Sequence, residues 1–189
     1  NSSNGFTPAP AHRLDRNTSG LVIFAKNLES LQELEKLFLT KENITKTYKA
    51  LVVGNLKDTL SLDYPLLKDE KTGLVKVASM KDGAKSALTV VSPVKHFNSY
   101  TLVDANLITG RTHQIRVHLS YAGYPIVGDS KYGDFKLNKA FKEKYKFVDQ
   151  FLHAETIEFK KIGGKLSYLS NKKFKAELPK KELEILKLL

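Results

Sequence analysis

The 189 residues contain no cysteine, which excludes a disulfide framework and any thiolate metal site and fits a reducing compartment. No apolar run approaches the roughly 18–20 residues of a membrane-spanning helix. The opening NSSNGFTPAP has neither the basic nor the apolar region of a signal peptide. The expectation is a soluble, cytoplasmic protein. A glycine-rich phosphate loop ending in Lys-Ser/Thr is missing, as is a Gly-x-Ser-x-Gly elbow, so nucleotide hydrolysis and serine-hydrolase chemistry lose their usual signatures. Without internal repeats or a low-complexity linker, residues 1–189 read as one domain.

Acidic residues are also in deficit. Thirty-one Lys and Arg face twenty Asp and Glu, for a formal net charge of +11 and a pI near 9.6. Such a surface favours a polyanionic partner, because each phosphate it neutralises releases condensed counterions. Residues 136–189 carry fourteen Lys against seven acidic groups, which points to the C-terminal third as a support for that binding.

Apolar spacing predicts the elements. The run Gly20 to Ala25 reads as a strand buried on both faces. Asn27 is placed to cap a helix whose Leu31, Leu34 and Phe38 share one face. Thr47 to Val53 alternates as a strand, with Tyr48, Ala50 and Val52 on one side. Further strands are expected at Leu74–Ala78, Ser86–Val91 and Thr101–Leu107, punctuated by turn signals at Asp82-Gly83, Pro93 and Asn98-Ser99. THQIRVHLSYAG at 112–123 reads as a helix with Ile115, Leu119 and Ala122 inward and Arg116 beside that stripe. A Lys-rich helical stretch beyond Phe135, strands at Phe151–Phe159, Leu166–Leu169 and Lys173–Leu178, and a helix after Pro179 complete the pattern. The class is α+β with a large mixed, mainly antiparallel sheet flanked by helices and loops.

Two segments concentrate chemistry. HRLDRNTSG at 12–20 sets charged groups in a loop before a strand, where a rigid scaffold can mount a reactive side chain. Taken alone, Asp15 reads first as a loop-capping or salt-bridged residue. GRTHQIRVHLSYAGYPIVGDSKYG at 110–133 holds His113 and His118, whose spacing of five turns them about 140° apart on a helix, unlike a metal-binding pair four apart. No metal site is expected.

These segments resemble the RluA family of pseudouridine synthases. HRLDRNTSG is similar to the family's central motif, KTYKALVVG at 46–54 to its second and GRTHQIRVH to its third, in the family's order. PLLKD at 65–69, KVAS at 76–79, YAGYPIVGDSKYGD at 121–134 and FLHAETIEF at 151–159 extend the likeness over nearly the whole chain. These finer details are most similar to the C-type branch that acts on large-subunit ribosomal RNA.

The resemblance implies isomerisation of uridine to pseudouridine in structured RNA, with bacterial 23S ribosomal RNA as the expected partner, no cofactor and a monomeric enzyme. Transfer RNA and messenger RNA substrates compete with it, as do a non-catalytic RNA-binding module and a metal-independent RNA-cleaving enzyme. Asp15 matches the family aspartate that either adds to the sugar C1′ or abstracts a sugar proton. Arg116 matches the arginine paired with it, expected here to grip Asp15 bidentately. Tyr48 matches the tyrosine that stacks on the target base and serves in proton removal at C5. Arg13 matches the residue that fills the space left by a flipped base. His12, Thr18, Ser19, Arg111 and His113 match supporting or RNA-contacting positions. Family members carry a strand pair ahead of the aspartate motif, and many carry an S4-like module. Only eleven residues precede His12, so the chain is expected to lack both.

Overall fold

The computed structural model describes residues 5–189. Three two-residue strands, β1 (Ala9–Pro10), β2 (Ser19–Gly20) and β3 (Phe24–Ala25), lead to helix α1 (Leu28–Thr40). Six strands follow: β4 (Ile44–Val53), β5 (Leu60–Asp63), β6 (Leu66–Lys68), β7 (Val75–Val77), β8 (Leu88–Phe97) and β9 (Tyr100–Leu107). After α2 (Gln114–Tyr121) and α3 (Phe135–Tyr145) come β10 (Leu152–Phe159), β11 (Lys173–Lys175) and α4 (Lys180–Leu188). The main sheet has the order β11-β10-β4-β9-β8-β5, with β2 also on β10. Its pairs are antiparallel except β2 with β10, so the α+β class and the mixed, mainly antiparallel sheet are as expected.

Local chemistry explains the boundaries. Asn27 caps α1, its Oδ1 accepting from the Ser30 N–H at 2.8 Å, and Leu34 is the buried centre of its apolar face. Alternation in β4 sends Tyr48, Ala50 and Val52 into one core cluster with Ile115 and Leu119 of α2. Leu51 goes to the opposite face, against Phe141 of α3 and Ile185 of α4. A bulge between Ala154 and Thr156 shifts the phase of β10. Leu152 and Ala154 before it, and Ile157 and Phe159 after it, therefore lie opposite β4 residues of the Tyr48 face.

Three expectations are corrected. The apolar run at 20–25 is not one buried strand. Gly20 belongs to β2 and Phe24 to β3, and Val22 and Phe24 are exposed, because the pairing partners lie elsewhere: β10 for the first and β1 for the second. Leu166–Leu169 is not a strand but the end of a 3₁₀ turn over Gly164–Leu169, which buries Leu166 beneath α1 residues. Pro93 does not end a strand. It sits in β8 at a bulge, beyond the residues that pair with β5, where its missing N–H deprives no partner on that side.

Candidate active site

Gly20 fixes the loop that carries Asp15. Its φ is +115°, and a Cβ there would lie 2.3 Å from the Ala154 carbonyl oxygen, so only glycine lets β2 come against β10. Two neighbours fasten the same loop. The Ser19 hydroxyl bonds His153 Nδ1 at 2.8 Å while His153 Nε2 bonds the Ala176 carbonyl at 3.0 Å, and Gln150 donates to Thr18 Oγ1. Leu14 packs against the Tyr48 core, as its apolar character suggested. Asp15 is left partly exposed between these anchors.

The second wall is the N-terminal end of α2. Buried Gln114 accepts from the Arg111 N–H at 2.9 Å and from the Thr109 hydroxyl at 2.7 Å. Its amide donates to the Leu88 carbonyl and to Thr89 Oγ1. His118, one turn on, is wholly buried, with Nδ1 at 3.0 Å from Thr89 Oγ1 and Nε2 at 2.9 Å from the Tyr64 carbonyl. Burial lowers its pKa, and this bonding suits a neutral ring whose Nε2–H donates to Tyr64. Gln114 and His118 thus bolt the helix to β8, and Arg116 between them turns toward the cleft.

Arg116 meets Asp15 as expected, Nη1 donating to Oδ2 at 3.1 Å. The expected bidentate grip, however, falls on a residue that the sequence motifs did not single out. Nε and Nη2 of Arg116 donate to Asp129 at 2.7 and 2.8 Å, and Asp129 also accepts from the N–H groups of Lys131 and Tyr132. The reason is geometric: Asp129 lies in a turn beside α2 and offers both carboxylate oxygens to the guanidinium fork, whereas Asp15 reaches it from a separate loop. Burial pulls the Arg116 pKa down, but Asp129 and Asp15 outweigh it and leave the group above its ordinary value. The Tyr132 ring covers the guanidinium, its centroid 5.1 Å from Cζ. The signal for Asp129 was the Gly-Asp-Ser turn inside YAGYPIVGDSKYGD; Gly128 has φ +79°, and a Cβ there would strike the Asp149 carbonyl.

Between the walls lies a cleft of about 600 Å³. Its floor includes Tyr48, which is only 6% exposed and stands opposite two small residues, Ala154 on β10 and Ala105 on β9. Tyr48 faces the cleft and also completes the core. Burial, and secondarily the charge of Asp15, push its phenol pKa up. His12, Arg13, Thr18, Arg111 and His113 line the same cleft, whereas Ser19 stands behind it on His153. His113, at φ +53°, bonds the Tyr132 hydroxyl at 2.8 Å, and its pKa is lowered by burial against the pull of Asp15.

The lining holds eight Lys and Arg side chains and one carboxylate, Asp15. All eight precede residue 136, so the cationic lining does not come from the Lys-rich C-terminal third. No helix among the described residues is long and apolar enough to cross a membrane.

A family model described as RNA pseudouridylate synthase matches residues 1–121. The ribosomal large subunit pseudouridine synthase C of Buchnera aphidicola subsp. Baizongia pistaciae is 42% identical over 149 residues, covering 78% of this chain and 47% of that protein. The tRNA pseudouridine synthase C of Vibrio vulnificus is 35% identical over 161 residues, covering 79% of this chain and 65% of that protein. The solved structure of human RNA pseudouridylate synthase domain containing 4 superposes with a TM-score of 0.75 at 25% identity, over 95% of this chain and 76% of that one. The chain spans about half the length of the Buchnera relative.

Proposed function

The chain belongs to the RluA family of RNA pseudouridine synthases, and from that premise we propose that its cleft isomerises uridine to pseudouridine in structured RNA, with large-subunit ribosomal RNA as substrate. One observation carries this reading: a carboxylate, Asp15, paired with a buried arginine at 3.1 Å in a cleft whose other charged side chains are Lys and Arg and whose floor includes a tyrosine.

The reaction breaks the N1–C1′ bond, turns the uracil and joins C5 to C1′; the C5 proton is lost and N1 regains one, so the product is an isomer and no redox partner is needed. Asp15 acts on the ribose as an anion, either bonding to C1′ as uracil departs or removing a sugar proton. Arg116 holds it aimed, and Asp129 holds Arg116. Tyr48 stacks on the base. Because burial and Asp15 keep its phenol protonated, stacking is favoured over a role as resting base. Arg13, exposed along the cleft, fills the gap left by the flipped nucleotide, and the remaining cleft cations meet phosphates.

Tritium release from ribosomal RNA labelled at uridine C5 tests the activity. Release with wild type and none with Asp15→Asn is expected; no release with the full-length protein overturns the reading. The likeness to a protein named as a tRNA pseudouridine synthase favours transfer RNA as a second substrate, and mapping the modified position in each RNA separates the two.

A further inference from the structure

Part of the cleft is cationic without a carboxylate to balance it. Lys46 lies two residues before Tyr48 on the same face of β4 and is only 8% exposed. Its Nζ is 3.3 Å from His12 Nδ1, 5.5 Å from the centroid of Phe38 and 5.6 Å from that of Tyr48. Lys41 ends α1 in the left-handed conformation, φ +57°, and its Nζ lies so close to Gly110 that a Cβ there would be 2.5 Å away. Among the described residues the Arg111 side chain, next to Gly110, spends only Nε on the protein, donating to the Ser86 carbonyl at 2.9 Å. Among the described residues none of the three forms an ion pair. Burying an ammonium without a counter-ion is unfavourable, and three cations lining one cleft repel one another.

The hydrogen bonds of His12 add a second constraint. The Ile23 N–H donates to His12 Nε2 at 3.2 Å, so in a neutral imidazole Nδ1 carries the proton. An ammonium 3.3 Å from that N–H sets donor against donor. Only an uncharged Lys46 amine accepts there, so the contact between these two side chains fits best one proton short. In keeping with this, burial brings Lys46 to about 8, and burial with Lys46 and Arg111 brings Lys41 to about 8. Burial and Lys46 bring His12 to about 4.

We propose that Lys46, Lys41 and Arg111 form a subsite for a single phosphate group, the one adjoining the nucleoside whose base meets Tyr48. The subsite rests on the reading of the cleft as a nucleotide site. A phosphate supplies an anion to all three cations at once. Lys46 is then held as an ammonium and turns from His12 toward the ligand. This separates two jobs along β4: Tyr48 receives the base, and Lys46, on the same face, receives the backbone beside it. Such a contact sets the depth to which the nucleotide enters and carries no base preference.

The test is binding of uridine, uridine 5′-monophosphate and uridine 3′-monophosphate to the full chain, measured by calorimetry, which does not depend on turnover. One of the two monophosphates is expected to bind wild type about tenfold or more tighter than uridine, as for a charge-assisted hydrogen bond. Lys46→Met, which keeps the buried stem, and Lys41→Gln, at a half-buried position, each lose most of that preference while uridine binding holds. In wild type the preference declines as pH rises above about 8, with proton uptake on binding there, because the complex keeps protons that the free lysines release. Equal binding of all three ligands, or an undiminished preference in both variants, overturns the subsite. Tritium release reads the activity separately: release without a phosphate preference sinks the subsite alone, and a preference without release sinks the activity alone.

Discussion

Asp129 holds Arg116 by two nitrogens, at 2.7 and 2.8 Å, and leaves the third to reach Asp15 at 3.1 Å. The arginine is therefore aimed before any substrate arrives, since rotating toward Asp15 alone would break both bonds to Asp129. Asp129→Asn is expected to lower kcat while changing RNA affinity little. Removing one member of a buried pair typically destabilises by about 3–5 kcal/mol, so Asp129→Ala should lose stability of that order in urea unfolding. A folded Asp129→Asn chain with wild-type kcat would leave Asp129 without a positioning role.

Asp15 stands in a different balance. Its side chain is 25% exposed and makes one bond to Arg116, so Asp15→Asn should keep the fold within about 1 kcal/mol and keep RNA binding while abolishing isomerisation. Arg116→Lys should be severely impaired, because one ammonium cannot reproduce the fork that spans both carboxylates. Near-normal turnover by Asp15→Asn would falsify the proposed chemistry.

Tyr48 belongs to both cleft and core, which changes how it is best tested. Tyr48→Ala removes a large side chain from the central cluster and should cost about 3–5 kcal/mol of stability as well as turnover. Tyr48→Phe retains the ring and therefore the stacking surface. If stacking is the main contribution, Tyr48→Phe keeps RNA affinity and a measurable rate, and loss of all activity in that folded variant would instead assign the hydroxyl to the chemistry.

The legible parts of this molecule were those set by local spacing. Asn27 capping α1, Tyr48 alternating with Lys49 along β4, and Arg116 beside the Ile115–Leu119 stripe all follow from two periodicities. The meeting of Asp15 with Arg116 was reached through the motifs and their chemistry, since no local rule joins residues 101 apart. What escaped was set by distant partners. Ser19 pairs with His153, so the apolar run after it could not reveal that its first residue joins one sheet and its last another. Asp129 lies in a Gly-Asp-Ser turn, and nothing in that local sequence shows the guanidinium that α2 brings to it. Lys46 could have been noticed by the period-two rule that singled out Tyr48, because both lie on one face of β4.

The distribution of cations along the cleft predicts the salt dependence of binding. Arg16 and Lys131 line it and make no ion pair among the described residues, whereas Lys173 lies 3.8 Å from Glu158 and Lys175 lies 3.0 Å from Glu177. Neutralising Arg16 and Lys131 together should weaken all RNAs similarly and make the slope of log affinity against log salt shallower by about two. Neutralising Lys173 and Lys175 should change it less. A larger effect from the second pair would move the RNA path onto the C-terminal third, as charge counting alone suggests.

Glu182 links stability to pH far from the cleft. It sits three residues before Ile185 on the inner side of α4, is 5% exposed, and has one carboxyl oxygen buried without a partner among the described residues. Burial, reinforced by Asp149, raises its pKa from 4.5 to about 7. Between those values the folded chain holds a proton that the unfolded chain has released, so the stability is complete below about 4.5 and is lost as pH rises through about 7. Glu182→Gln cannot ionise and keeps the shape. It should match wild type near pH 4 and exceed it by up to about 3 kcal/mol at pH 8, because each tenfold change in proton affinity between the folded and unfolded chain is worth roughly 1.4 kcal/mol. Asp149→Asn should show part of the same gain, since it removes the second cause. Urea unfolding at both pH values decides the matter: if the wild-type and Glu182→Gln stabilities keep a constant difference from pH 4 to 8, the glutamate does not titrate where its burial places it.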